Sequence, residues 1–372
     1  MISIIYVGMD VHTTNYTLCC YSMEDDRFFA EVQVEPDAKN ILKYLARIEK
    51  QQSRDCRIVC GYEAGCLGYS LYHQLHAHGI DCVILAPTTM MTKPGKRIKT
   101  DRRDARLISK CLAFHTYSPV YIPTEVDDAV KEYIRMRDDA NSALARVKQQ
   151  IIAFCIRHGK IHDGKSYWTN KHLEWLSSLD LGNKILSEVL QEYLIRYYQL
   201  REQVDMYDMR INELAQAEPY RQKVEKLGCF RGIAAHTALS FCVEVGDFRR
   251  FATAQQFASY LGLVPGECSS GDKQQYTGIT KAGNSHLRKL LVETAQVFGR
   301  SATKSGKSVA LKERQAKCDS LTVAYADKAN ARLKKKYFKI AMRSKVNIAK
   351  TAVAREMACF IWGMMTDNIS CA

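Results

Sequence analysis

No apolar run in this 372-residue sequence reaches the roughly 18 residues that a membrane-spanning helix needs, so no membrane partner is expected. The opening MISIIYVGMD has neither the basic start nor the long apolar stretch and small-residue cleavage site of a secretory signal, which predicts a protein that stays in the cytoplasm. Paired cysteine motifs are missing too. Fourteen cysteines are scattered among apolar neighbours with no CxxC pair, a pattern that points away from a disulfide scaffold and toward reduced, buried thiols. Cys155 with His158 and His162 is only a loose zinc-like spacing, and Cys56, Cys60 and Cys66 lack a second ligand pair. Repeats and low-complexity tracts are absent. With 47% hydrophobic and 25% charged residues the composition is that of a globular protein, and the length implies more than one structural unit.

The net charge is +14, and it is unevenly placed. Between Lys281 and Arg355 stand 19 Lys/Arg against 4 Asp/Glu, so the remainder of the chain is close to neutral. A basic C-terminal third on a neutral body is the electrostatic footprint of a polyanion binder.

Three organisational regions emerge, with boundaries at 1–118, 119–222 and 223–372. In the first, residues 3–11, 16–22 and 28–34 alternate as short strands of a meander. Asp37 then caps a helix with apolar residues at Ile41, Leu42, Tyr44, Leu45 and Ile48. A strand at 57–62, a helix at 67–78, a strand at 81–86 and a further helix complete an α/β unit in ribonuclease-H-like order. The second region, nearly free of proline and glycine from 124 to 217, carries Leu186, Leu190, Tyr193, Tyr197, Leu200, Val204, Tyr207, Ile211 and Leu214 at alternating spacings of four and three. That is the seam of a long helical coiled-coil linker. Such a stripe needs a partner: either the 128–157 helix or, as the favoured reading, a second protomer in a homo-oligomer. The third region is mainly α-helical, interrupted by a polar, glycine-rich loop from Pro265 to Gly283. Residues 232–245 look like half of a backbone-binding helical hairpin, although Cys229-Phe230-Arg231-Gly232-Ile233 replaces the usual glycine-rich turn.

The chemistry is carried by carboxylates. Period-two alternation places Tyr6, Gly8, Asp10 and His12 on one face of the first strand, and Val59, Gly61 and Glu63 on one face of the fourth. Each acid ends its strand with a glycine two residues before it, leaving room for a metal or a nucleic-acid backbone. In Lys99-Thr100-Asp101-Arg102-Arg103-Asp104-Ala105-Arg106, Thr100 is placed to cap a helix, and Asp101 and Asp104 share the face that continues into Ile108 and Cys111. Four converging carboxylates cannot all ionise without cations, and oxygen ligands suit Mg²⁺ or Mn²⁺. Two such ions about 4 Å apart would serve phosphodiester cleavage or transfer. Lys99, Arg102, Arg103 and Arg106 stand ready for phosphates.

The segments GMDVH, YEAGCLGYSLY, APTTMMTKPGKRIKTDRRDA and YLGLVPGECSSGDKQQYTGITKAGNSHLRKLLVETA together resemble the DEDD transposases of bacterial insertion sequences, relatives of the Piv DNA invertase. The resemblance spans nearly the whole chain. It implies a RuvC-like N-terminal domain whose acids are Asp10, Glu63, Asp101 and Asp104, a helical linker, and a C-terminal transposase domain. By position in the SSG block it also implies a serine nucleophile at Ser270, with the adjacent Ser269 as the alternative. It further implies an active site composite across protomers, suiting a dimer or tetramer, and a structured guide RNA that pairs with donor and target DNA.

Lys281, Asn284, His286, Arg288 and Lys289 surround a helix start and are expected to contact DNA or RNA backbone. Lys334-Lys335-Lys336 with Tyr337 and Phe338 form a second candidate contact. The function expected is a metal-dependent recombinase that excises and inserts a mobile element. The alternatives are a RuvC-like structure-specific nuclease using metal-activated water and a non-catalytic nucleic-acid-binding protein with degenerate acids.

Overall fold

A computed structural model of the chain describes residues 3–51, 56–65, 67–90, 100–267, 276–300 and 306–369. They form two compact units divided between Ile122 and Pro123.

The first unit is mixed α/β. Strands β1 (Ser3–Val11), β2 (Tyr16–Ser22) and β3 (Arg27–Val34) form an antiparallel meander; helix α1 (Ala38–Gln51) then leads to β4 (Cys56–Glu63). Helix α2 (Ser70–Ala77), strand β5 (Asp81–Leu85) and helix α3 (Asp101–Ala113) complete it. The strand order is β3-β2-β1-β4-β5, with β4 parallel to both β1 and β5, an arrangement consistent with the ribonuclease-H-like expectation. Asp37 accepts a 2.8 Å hydrogen bond from the Lys39 amide, as a helix-capping residue should.

Alternation along β1 builds two cores. Ile5, Val7 and Met9 pack with Leu18, Cys20, Ile41, Leu45 and Leu75 under α1 and α2. Tyr6 faces the other way, with Tyr21, Leu85, Ile108, Cys111 and Leu112 under α3.

Helix α3 reaches the sheet because two glycines let it. Gly8 and Gly61 are register partners on adjacent strands. A Cβ on Gly8 would stand 2.0 Å from the Ala105 carbonyl oxygen and 2.4 Å from the Ser109 amide nitrogen. A Cβ on Gly61 would meet the methyl groups of Leu112 and Leu85 at 2.8 Å. The room expected for a metal or a nucleic-acid backbone is therefore occupied by helix α3 itself.

The second unit is mainly helical. Its first part pairs the long helices α4 (Glu125–Arg157) and α6 (Lys184–Gln216), with α5 (Asn170–Ser177) between them in sequence. Tyr133 against Tyr207, Arg137 against Asp208 and Phe154 against Tyr193 set α4 and α6 antiparallel. The apolar stripe of α6 is covered within the chain: Leu190, Tyr197, Val204 and Ile211 are buried. This is the alternative not favoured from sequence, so the stripe no longer calls for a second protomer.

The remaining elements are α7 (Arg221–Gly228), α8 (Ala235–Val245), α9 (Ala254–Tyr260), the two-stranded sheet of β6 (Pro265–Glu267) and β7 (Tyr276–Ile279), α10 (Ser285–Arg300), α11 (Val309–Gln315), α12 (Ser320–Ala341) and α13 (Val346–Met365). Val130 and Ile134 of α4 and Ile211 and Ala215 of α6 share one core with Phe241, Phe257, Leu291, Leu333 and Met357. The division expected near residue 222 is thus bridged by a continuous core.

Replacing Gly8 by alanine forces α3 away from β1, because the obstacle is backbone. Gly61→Ala meets mostly flexible leucine methyls. Gly8→Ala is expected to destabilise the first unit by about 3 kcal/mol and Gly61→Ala by clearly less. Urea unfolding followed by circular dichroism checks the order; equal losses would mean that α3 does not rest on Gly8.

Candidate functional site

Asp10 ends β1 and points to the α3 side of the sheet, and Asp101 and Asp104 occupy the first turn of α3. The glycine contact two residues earlier on β1 brings these pieces together. One donor atom from each of Asp10, His12 and Asp101 lies within 4.8 Å of the other two. Asp10 has its side chain 14% exposed, and its Oδ2 is buried without a hydrogen-bond partner. Burial pushes its carboxyl above the usual range, and the negative charges of Asp104 and Asp101 add to that against the opposing influence of His12. Glu63 closes β4 one step beyond the Met9–Tyr62 register pair, which puts it alongside Asp10 on the neighbouring strand, exposed. It is not one of the three residues whose donor atoms converge.

The donor set suits a hard divalent cation. Carboxylate oxygens predominate, and a buried oxygen met only loosely, by His12 at 3.3 Å, is a group that a cation would satisfy. Thr100 occupies the N-cap position of α3 with extended backbone, but its side chain makes no capping bond, which corrects the expectation that it would.

The arginines of α3 have a partner that the sequence reading overlooked. Glu31 on β3, 19% exposed, accepts from Arg106 Nε at 2.7 Å and lies 3.3 Å from Arg102 Nε. Arg102 stays largely exposed, as does Arg103. A cavity of about 390 Å³ lined by Thr17, Glu31, Val32, Gln33, Thr100, Asp101 and Arg102 opens beside Asp101. An acid in the middle of a strand, flanked by Phe28, Phe29, Ala30 and Val32, was the available signal for Glu31. Lys99 lies outside the described residues, as do Ser269 and Ser270.

In the second unit the residues around the start of α10 are held by internal bonds. Asn284 Oδ1 accepts from the Leu287 amide at 2.9 Å and so caps α10, while its Nδ2 donates to Glu244 Oε2 at 2.6 Å. Arg288 donates to the carbonyls of Leu261 and Ala282. His286 is bracketed by two acids: Nδ1 contacts Glu244 Oε1, and Nε2 stands 2.8 Å from Asp138 Oδ2 on α4. Asp138 also lies 2.9 Å from His236 Nε2 and 3.1 Å from Arg137 Nη1, and Arg137 reaches Asp208 of α6. Lys281 and Lys289 are exposed. Tyr337, expected near nucleic acid, is buried in the core against Gly299, and Lys336 pairs with Glu356 at 2.6 Å. Phe338 packs on the same core.

Burial, the largest single influence on His286, favours its neutral form, but hydrogen bonds to Asp138 and Glu244 outweigh it and push the imidazole up to about 9. Asp138 is held well below the usual carboxylate range: burial opposes this, and His236, His286 and Arg137 overcome it.

Two family models match the chain. One, a transposase model of the DEDD type, covers residues 7–156, and the other, "Transposase IS116/IS110/IS902 family", covers residues 225–314. Among similar proteins, y4qE of Sinorhizobium fredii is 36% identical over 307 residues, 82% of this chain and 75% of its own length. The transposase for insertion sequence element IS1533 of Leptospira borgpetersenii is 32% identical over 340 residues, 90% of this chain and 95% of its own. The transposase for insertion sequence element IS1111A of Coxiella burnetii is 26% identical over 268 residues, 68% and 71% of the two chains. A mixed α/β unit with acids gathered at the end of its central strand, followed by a helical unit, is here a DNA transposase. The chain belongs to the IS116/IS110/IS902 family of transposases.

Because the folded-state pKa of His286 is raised above its ordinary 6.5, its bridge contributes stability that is complete below about pH 6.5 and is lost as pH rises through about 9. His286→Gln should remove that slope. Urea midpoints of both proteins between pH 6 and 9.5 are expected to converge at the alkaline end; a constant difference across the range would show that the charged bridge does not form.

Proposed function

We propose that the chain excises and inserts DNA by strand exchange, using a divalent ion held by Asp10, Asp101, Asp104 and Glu63 and a serine nucleophile at Ser270, with Ser269 as the alternative. The observation that carries the metal reading is the buried Asp10 Oδ2 beside Asp101, met among the described residues only by a loose 3.3 Å contact from His12. When bound, Mg²⁺ or Mn²⁺ supplies electrostatic stabilisation of the charge that develops on phosphate oxygens.

The protein's own groups divide the remaining work. Asp10 is the central acid, fixed by its strand. Arg102 and Arg103 present exposed cations at the start of α3 to the phosphates of an approaching strand, and Lys99 stands two residues before α3 in sequence. In the second unit the exposed Lys281 and Lys289 are the phosphate contacts. Asn284, His286 and Arg288 shape the helix start that carries them, through the internal bonds described above. Ser270 Oγ would form a bond to phosphorus as the bond from phosphorus to a deoxyribose oxygen breaks. The serine proton passes to a base, and the departing oxygen takes a proton. Attack by a second strand's hydroxyl reverses the step and releases the serine.

Three partners accompany this reading: donor and target DNA, a structured guide RNA, and further copies of the chain in a dimer or tetramer. The local excess of basic residues from Lys281 to Arg355 supports polyanion binding on a scale suited to more than one strand. Guidance by RNA rests on family resemblance.

Purified complex incubated with a DNA junction and Mg²⁺ should form a covalent protein–DNA adduct. Ser270→Ala should abolish the adduct and strand exchange, and Asp10→Asn should lower both by more than about 100-fold. Continued cutting by Ser270→Ala and Ser269→Ala alike would instead mean hydrolysis by an activated water. Unchanged activity in Asp10→Asn would overturn the metal reading.

A further inference from the structure

Asp10 and His12 share one face at the end of β1, two residues apart, and the backbone there is pinned: the His12 amide donates to the Asn15 carbonyl at 3.0 Å across the β1–β2 turn. The side chain of His12 is thus carried on a fixed turn, 48% exposed, on the face where Asp101 arrives from α3.

The His12–Asp10 contact is a loose ion pair whose separation also suits two ligands of one ion. Nε2 lies 3.3 Å from Asp10 Oδ2, at the long end for a hydrogen bond, and no other polar group among the described residues satisfies that buried oxygen. Two donors each about 2.1–2.2 Å from one ion, at roughly a right angle, stand about 3.0–3.2 Å apart. The observed separation is close to that, and Asp101 offers a third donor within 4.8 Å of both. Ligands gathered before the ion enters should look like this: near one another and only loosely satisfied by one another.

We propose that His12 is a nitrogen ligand of the ion bound by Asp10 and Asp101, and that it makes the centre select Mn²⁺ over Mg²⁺. This rests on the metal reading given above and extends it to the nature of the ion. Imidazole is a softer donor than carboxylate or water, and it strengthens binding of first-row transition ions while adding little for Mg²⁺, which prefers oxygen. The neutral ring donates its Nε2 lone pair, with the proton on Nδ1.

The test uses the full chain without nucleic acid, titrated with Mn²⁺ and followed by electron paramagnetic resonance. Spin-echo modulation of the bound ion should show one directly coordinated nitrogen, and it should change character when the protein is labelled with ¹⁵N-histidine. His12→Gln should lose that nitrogen and weaken Mn²⁺ binding by about tenfold or more. Its Mg²⁺ affinity, measured by competition, should move by less than about threefold. Saturable Mn²⁺ binding that depends on Asp10 but shows no histidine nitrogen would overturn the role of His12 and leave the metal reading standing. Absence of saturable binding, or binding unaffected by Asp10→Asn, would overturn both. The labelled wild-type spectrum decides the matter even if a variant folds poorly.

Discussion

The approach of helix α3 to the sheet is the constraint on which the acidic site depends. At Gly8 the distance is too short for any Cβ, so the helix backbone rests directly on strand β1. Asp101 and Asp104 sit in the first turn of that helix, so their distance from Asp10 follows from how deeply the helix seats. Ile108, Cys111 and Leu112 further along α3 supply the apolar area that holds it down. The raised proton affinity of Asp10 follows as well, since a helix lying on the strand end removes water from the carboxylate and brings two more negative charges toward it.

A cluster of like charges needs something to hold its surroundings in register, and Glu31 does this on the outer side. It gathers Arg102 and Arg106, one turn apart on α3, against strand β3. Arg106 also stacks on Phe28, its guanidinium 5.5 Å from the ring centroid. The second unit repeats the logic with opposite charge. There a charged imidazole is bracketed by carboxylates from two different helices, Asp138 on α4 and Glu244 on α8. Glu244 receives both Asn284 and His286, so the start of α10 has one position relative to α8, and Asp138 ties that position to the helical hairpin. Beyond the pH-dependent stability of the His286 bridge, we assign directional ion pairs of this kind the choice of one register among several apolar packings.

Much of the first unit was legible because short strands with strict alternation and turn residues leave few options. The five strands fall within a residue or so of their expected positions, and the parallel pairing of β1 with β4 follows from their order. The approach of Asp10 to Asp101 was legible for the same reason, each lying at the end of an element. What could not be read was which surface fills an empty space. Gly8 and Gly61 announced a close approach, but nothing local distinguishes an incoming helix from an incoming ligand. The stripe on α6 likewise demanded a partner without naming it, because a helix of the same chain and a helix of another copy satisfy a heptad equally well. His286, Asn284 and Arg288 looked like phosphate contacts because most of their acceptors, Asp138, Glu244 and the Leu261 carbonyl, lie far away in sequence.

The separation of charge along the chain has a mechanistic side. A phosphodiester nearing Asp10, Asp101 and Asp104 meets repulsion over the last few ångströms, whereas the basic segment from Lys281 to Arg355 attracts it over a Debye length of about 8 Å at physiological salt. On the proposed reading, capture and chemistry make opposite electrostatic demands, and the acids and the basic segment stand on different parts of the sequence. A divalent cation bound there would reconcile them in part, since it would cancel two of the three carboxylate charges and offer phosphate oxygens a positive point to approach. Salt should therefore act mainly on capture, where counterions are released from nucleic acid, and much less on a centre whose charges are partly buried and compensated within a few ångströms.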